Sequence, residues 1–297
     1  MVRERFFDYL QYEKRYSSHT VVAYRNDINQ FSTYLQETYE VNEVTEVTHQ
    51  MVRSWLASLI ENGFSARSTN RKLSSLKTFY KYLLRNNLIK SNPVRMSTFL
   101  RVPERLPSFA TEQEMKRSLK EESDDSSFQS QRDFLVLHIF YHTGIRLSEL
   151  IGLKVRDIDF YNKSIKVIGK RNKERIIPVS AILLDKISRY LEMRTKVVIP
   201  GVEKLIVDDN GMEIKSSYVA KIVKEALTKA GVTGKKSPHV LRHTFATLLL
   251  NEGADLNAIK EILGHSSLAS TQVYTHTSVE KLKEVYNQAH PWAKKGG

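Results

Sequence analysis

A mainly α-helical fold in two domains with a small β-sheet is what this sequence predicts, and three observations predict it. Apolar residues recur at helical spacing through most of the chain. Only residues 163–179, "KSIKVIGKRNKERIIPV", alternate as a hairpin would. A stretch bearing two prolines, "RVPERLPSFATEQEM" at 101–115, interrupts the helical pattern, and 297 residues are more than one core usually organises.

The first domain is expected over 1–100. From Ser18, Val21, Tyr24, Ile28, Phe31 and Leu35 keep helical spacing, and Thr48 then caps a run with Val52, Trp55, Leu56 and Leu59 that Gly63 ends. A third run opens at Ser65, carries Leu73, Leu76, Phe79, Tyr80 and Leu83, and closes before "SNP" at 91–93. The N-terminal "MVRERFFDYLQYEKRY" has charges among its apolar residues, unlike the uninterrupted apolar core of a signal peptide.

The third run is one-sided in charge. From Phe64 to Pro103 there are nine Lys or Arg and no Asp or Glu. At about 100° per residue, Arg67, Arg71, Lys77, Lys81 and Arg85 share one arc and the apolar residues the opposite one. A merely solvated face usually mixes signs, so this arc is read as a phosphate-contacting face. The whole chain has the same bias: a formal charge of +13 and an isoelectric point near 9.6 are the footprint of a polyanion binder. The absence of cysteine excludes disulfides, thiolate metal sites and cysteine nucleophiles, and suits a reducing compartment. The longest apolar stretch, near "FLVLHIFY", falls short of the roughly 18 residues of a membrane span.

A linker is expected over 101–110 and a second domain over 111–297, opening at a helix capped by Thr111. "QRDFLVLHIFYHTGIRLSELIGL" reads as a buried helix, a glycine break and a second short helix, with Arg146 and Glu149 just after the break. The hairpin carries Lys170 at its tip. "SYVAKIVKEALTKAG" is helical, Ser237 and Pro238 start another helix, Asp255 caps a shorter one that Gly264 stops, and "SVEKLKEVYNQAH" is amphipathic.

The chemistry concentrates in "SPHVLRHTFATLLLNEGADLNAIKEILGHSSLASTQVYTHTS". Its first helix places His239, Arg242 and His243 on one face. The pairs "HVLRH" and "HIFYH" have the spacing of zinc-binding histidines, but each lacks the glutamate that a zinc protease uses, and Arg242 would set a cation beside a dication. Phosphate chemistry fits better: arginine grips nonbridging oxygens, histidine handles a proton, and tyrosine can attack if cations and a base help it.

Taken together, "TGIRLSEL", "IGKRNKERIIP", "HVLRHTFAT", "LGHSSLASTQVYTH" and the ending "AHPWAKKGG" resemble the signature series of the tyrosine recombinases, the phage-integrase family, closest to its XerC/XerD branch. The resemblance spans nearly the whole chain, in order. It implies an N-terminal helical core-binding (SAM-like) domain and a C-terminal α+β catalytic domain that together clamp DNA. It assigns catalysis to Arg146, Lys170, His239, Arg242, His265 and the nucleophile Tyr274, with Glu149 in support. The DNA-binding set is Arg67, Arg71, Lys77, Lys81, Arg85 and Arg171. His243 and His276 are expected to pack.

Arg171 departs from the glycine that usually follows the hairpin lysine, and Trp292 stands where Xer proteins more often have arginine. The implied activity is site-specific recombination through a 3′-phosphotyrosine, in the service of chromosome dimer resolution. The alternatives are integration or excision of a mobile element and, in another class, a non-catalytic architectural binder. No cofactor or metal is implied. The implied partners are a double-stranded DNA recombination site, a second or paralogous recombinase in a tetrameric synaptic complex joined through the C-terminal helix, and a DNA translocase as candidate activator. No membrane is implied, and the location is cytoplasmic, at the nucleoid.

Overall fold

The computed structural model describes residues 2–102, 110–119, 127–169, 172–264 and 276–290. The chain divides into two compact units, Met1–Arg105 and Leu106–Gly297. None of the helices among the described residues is long and apolar enough to cross a membrane.

The first unit is all helical: α1 (Val2–Asp8), a π-helical turn (Tyr9–Glu13), α2 (Ser18–Tyr39), α3 (His49–Glu61) and α4 (Ala66–Arg85). Hydroxyl side chains start the last three. Ser17, Thr48 and Ser65 accept from the backbone N–H groups of Thr20, Met51 and Ser68, satisfying donors that the first turn leaves free. The core interlocks aromatic rings, with Phe31 on Trp55 at 4.9 Å and Phe6 against Phe79 at 5.0 Å between centroids. Helix α1 is the element that periodicity does not reveal, because three consecutive charged residues precede Phe6 and Phe7; both phenylalanines are buried. Beyond α4, the Asn70 side chain holds the backbone of Leu100 through two hydrogen bonds of 2.8 Å.

The second unit contains α5 (Glu112–Ser118), α6 (Phe128–Thr143), α7 (Leu147–Gly152), strands β1 (Ile158–Asp159), β2 (Ser164–Ile168) and β3 (Glu174–Pro178), then α8 (Ala181–Arg194), α9 (Ser216–Lys229), α10 (Pro238–Asn251), α11 (Leu256–Leu263) and α12 (His276–Ala289). Helix α6 is buried from Leu135 to Thr143 and packs against α8, α9 and α10. Over that span it is buried around its circumference, as a central helix is, with His138 and His142 among the enclosed side chains.

The sheet is antiparallel in the order β1-β2-β3. Strand β1, two residues long, adds an edge to the hairpin that alternation in 163–179 shows. Pairing runs from Ser164 with Pro178 to Ile168 with Glu174, and Gly169 N–H donates to Lys173 C=O at 2.8 Å across the turn. Asn172 holds the left-handed conformation there, with φ of 58°, so the described end of the turn meets its need with asparagine. Lys170 and Arg171 lie outside the described residues.

Helix α12, which the resemblance assigns to a neighbouring protomer, packs in this single chain on its own unit. Leu282, Tyr286 and Ala289 are buried, and the helix meets α10, α11 and β3.

Candidate active site

The site is assembled where three helix ends meet. Gly144 ends α6 with φ of 58°, and a Cβ there would come within 2.4 Å of Phe245 Cδ1, so glycine alone makes the turn without displacing that ring. The turn puts Arg146 at the N-cap of α7. Its backbone N–H donates to Glu149 Oε2 and its Nη1 to Oε1, both at 2.8 Å. Glu149 therefore closes the first turn of α7 and holds the Arg146 guanidinium at once.

The same carboxylate takes a second guanidinium. Arg175 of β3 donates Nη1 to Glu149 Oε1 at 2.8 Å and Nη2 to Oε2 at 2.9 Å. Its Nε donates to the Ile262 carbonyl at 2.6 Å. Arg242 of α10 donates Nη1 to the Gly144 carbonyl at 2.7 Å and Nη2 to the Leu263 carbonyl at 2.6 Å, and Arg146 Nη2 reaches the Gly264 carbonyl at 3.0 Å.

Three successive carbonyls at the end of α11, those of Ile262, Leu263 and Gly264, thus each accept from a different arginine. A helix leaves its last carbonyls without intrahelical partners and concentrates negative potential there. These three meet that need with cations. Gly264, at φ of 67°, is confined as well, since a Cβ would lie 3.2 Å from Arg175 Cδ and Nη1.

The charges do not balance. Among the described residues, Glu149 is the only carboxylate bonded to Arg146, Arg175 or Arg242, so three cations against one anion leave an excess of two positive charges. Burial by itself would raise the Glu149 carboxyl. The hydrogen bonds and charge of Arg175, joined by those of Arg146, bring it down to about 2. Arg242 is lowered to about 10, by burial first and then by repulsion from Arg146 and Arg175, with Glu149 opposing. Buried cations that repel one another are relieved by an anion. Arg242 is buried and the Arg146 side chain one-third exposed, so the excess charge faces solvent through Arg146.

Of the other candidates, His239 is exposed on the first turn of α10 and His243 is half-buried. His265 follows Gly264 directly in the chain. Lys170, Arg171, His265 and Tyr274 lie outside the described residues, as does the His276 side chain. The histidines of "HIFYH" are buried: His138 and His142 stack at 5.6 Å, and His142 bonds Ser180 and stacks on His290 at 4.9 Å. Burial holds both His138 and His142 below the usual imidazole range.

On α4, Arg67, Lys81 and Arg85 are exposed, while Lys77 is half-buried with its ammonium 4.7 Å over the Phe99 ring. Arg71 is tied to buried Asp27, which also takes Lys72 Nζ at 3.2 Å and Ser75 Oγ at 2.7 Å.

Sequence reasoning missed Arg175. The signal was present: in β3 residues 175 and 177 point to one side, so Arg175 shares a face with core residue Ile177. An arginine on the buried face of a strand calls for a carboxylate.

Comparison with known proteins bears on this geometry. Residues 108–281 match the phage integrase family and residues 4–87 the phage integrase N-terminal SAM-like domain. The chain is 39% identical over 295 residues to tyrosine recombinase XerC of Listeria innocua serovar 6a, covering 98% of each. It is 37% identical over 292 residues to tyrosine recombinase XerC of Bacillus subtilis (strain 168), covering 97% of this chain and 95% of that one. The fold is similar to that of XerH site-specific recombinase bound to difH substrate in a pre-cleavage complex, with a TM-score of 0.70 and 23% identity over 96% of this chain and 82% of that one.

Proposed function

This chain belongs to the phage integrase family and is a tyrosine site-specific recombinase of Xer type, and from that premise we propose how its residues cut and rejoin DNA. Tyr274 attacks a scissile phosphate to give a 3′-phosphotyrosine and a free 5′-hydroxyl. That hydroxyl then attacks the same linkage on a partner duplex. The bond energy stays in the covalent link, so no nucleotide is consumed.

His239 takes the tyrosine proton, Lys170 gives one to the leaving 5′-oxygen, and His265 hydrogen-bonds a nonbridging oxygen. Arg146 and Arg242 stabilise the charge that builds on phosphorus, and Glu149 holds Arg146 in orientation. The observation that carries this reading is the convergence of three guanidiniums and one carboxylate on the last carbonyls of α11, one residue before His265. This pre-formed cationic hub needs no reorganisation when a phosphate arrives.

The first unit, through Arg67, Arg71, Lys77, Lys81 and Arg85, grips the duplex by its phosphates, and Arg171 adds a contact from the hairpin. The remaining assignments follow from the same premise: a core-binding domain over 1–100, a linker over 101–110 and a catalytic domain over 111–297. The partners are a duplex recombination site and a second or paralogous recombinase in a tetramer, with a translocase as activator. The setting is the cytoplasmic nucleoid, and the task is chromosome dimer resolution.

A suicide substrate, nicked so that the short downstream fragment bearing the new 5′-hydroxyl diffuses away, tests the core of this. The wild type should accumulate a covalent protein–DNA adduct, with Tyr274 as the modified residue in a peptide map. An adduct at another residue, or none on any candidate site, overturns the reading.

A further inference from the structure

Arg175 is the guanidinium of the hub with the most hydrogen bonds, and the mechanism above gives it no role. It sits on β3 opposite Val167, one pair in from the Ile168–Glu174 pair that borders the turn. From there it reaches two other elements: both oxygens of Glu149 on α7, and the Ile262 carbonyl at the end of α11. Its side chain is 5% exposed, so it meets its partners within the protein and leaves the solvent-facing position to Arg146.

The arrangement divides Glu149 between two cations. Oε1 accepts from both guanidiniums, while Oε2 accepts from Arg175 and from the Arg146 backbone. With Arg175 present, Arg146 spends one nitrogen on a shared carboxylate and keeps part of its charge for an incoming anion. Without it, Arg146 alone must compensate a buried carboxylate, and the hub's excess falls from two charges to one.

We infer that Arg175 is a positioning residue for DNA cleavage: it ties the hairpin strand to α7 and α11 and compensates Glu149, so that Arg146 stays oriented and electrostatically available to the scissile phosphate. This rests on the phosphotyrosine reading above. It also gives the hairpin a mechanical link to the arginines, because one side chain spans β3, α7 and α11.

The test compares two scissile linkages in the full chain under single turnover: an ordinary phosphodiester, and a methylphosphonate in which a neutral methyl replaces one nonbridging oxygen. The second carries no ground-state charge and demands less of Arg146. Arg175→Met should cut the phosphodiester about 10²-fold more slowly, at the low end of the loss of one preorganised donor, and the methylphosphonate less than about threefold more slowly. The ratio of the two rates reads only folded protein, so a variant that partly unfolds loses both alike and leaves the ratio unchanged. Arg175→Lys, which keeps the charge but not the fork, should recover part of the ratio. Arg175→Met with Glu149→Gln, which restores the excess of two, should recover more.

A wild type that forms no adduct with the phosphodiester sinks the phosphotyrosine reading itself. A competent wild type whose Arg175→Met variant leaves the ratio unmoved, whether both rates fall or neither does, overturns the inference alone.

Discussion

Two buried carboxylates, Asp27 in the first unit and Glu149 in the second, are each compensated by two cations, yet they serve different ends. The partners of Asp27, Arg71 and Lys72, are neighbours on one helix. Those of Glu149 come from α7 and from β3, which are distant in sequence. Around Asp27 the Arg71 side chain remains half exposed, at 51%, at the edge of a cationic helix face. Around Glu149 a third guanidinium, Arg242, adds uncompensated charge within a largely buried hub. The difference teaches that a carboxylate whose cations come from one helix steadies a surface, whereas one whose cations come from separate elements fixes a chemical geometry that none of them holds alone.

The sharpest way to break this contrast is to separate chemistry from grip. Tyr274→Phe should abolish the covalent adduct and leave DNA affinity unchanged in a gel-shift titration, since the ring is kept and the nucleophilic oxygen lost. Adduct formed by that variant would end the division of labour. Next in size, Lys170→Ala should slow cleavage by about 10²–10⁴-fold, the cost of a lost general acid, and recover on a 5′-bridging phosphorothiolate, whose thiolate leaves without a proton. Arg146→Ala should lose about 10²–10³-fold and show no such recovery, because its target oxygens are untouched by the sulfur. If the thiolate instead rescues Arg171→Ala and leaves Lys170→Ala slow, the acid lies one residue further along the hairpin.

Acid should separate the two units as well. His138 and His290 are held neutral by burial, at about 3 and about 4. The unfolded chain binds protons at these sites more readily once pH falls below about 6.5, so their burial costs stability from there down through those values. Glu149 has the opposite form. Its depressed value stabilises the fold above about 4.5, and that contribution is lost as pH falls toward about 2. Both contributions lie in the second unit, which should open first on acidification. Pulse-labelled hydrogen exchange at pH 7.5 and 5 checks this: equal loss of protection in α2 and α6 would contradict it.

The smallest effect belongs to the α4 face. Replacing exposed Arg67 and Lys81 by Gln should weaken binding to all sequences by a similar factor and flatten the salt dependence by about 1.8 in slope, at about 0.9 per phosphate contact. An unchanged slope would make the face a merely solvated one. Arg71→Gln should in addition lower the thermal midpoint, because it strips a partner from Asp27.

Local patterns were readable from residues alone. Thr48, Ser65, Thr111 and Asp255 announce helix starts and Gly144 and Gly264 announce ends, because capping and left-handed turns are decided within a few residues of the chain. Arg146, Glu149 and Arg242 were legible as a set only through the resemblance of their motifs to those of the tyrosine recombinases. Helix α1, strand β1 and the pairing of Asp27 with Lys72 were not, since a two-residue strand or a buried lysine has no period of its own and exists only by virtue of what packs on it. Arg175 is the clearest case. Its inward direction follows from the two-residue repeat of β3, but its partners lie 26 residues away in Glu149 and 87 away in Ile262, and only the packing of β3, α7 and α11 together brings them within hydrogen-bond reach. The sequence by itself determined most of the helices, their ends and the chemical types available to the site. The tertiary structure decided which cation meets which anion and which charges are left over, because electrostatic compensation depends on distance and burial that no single segment controls.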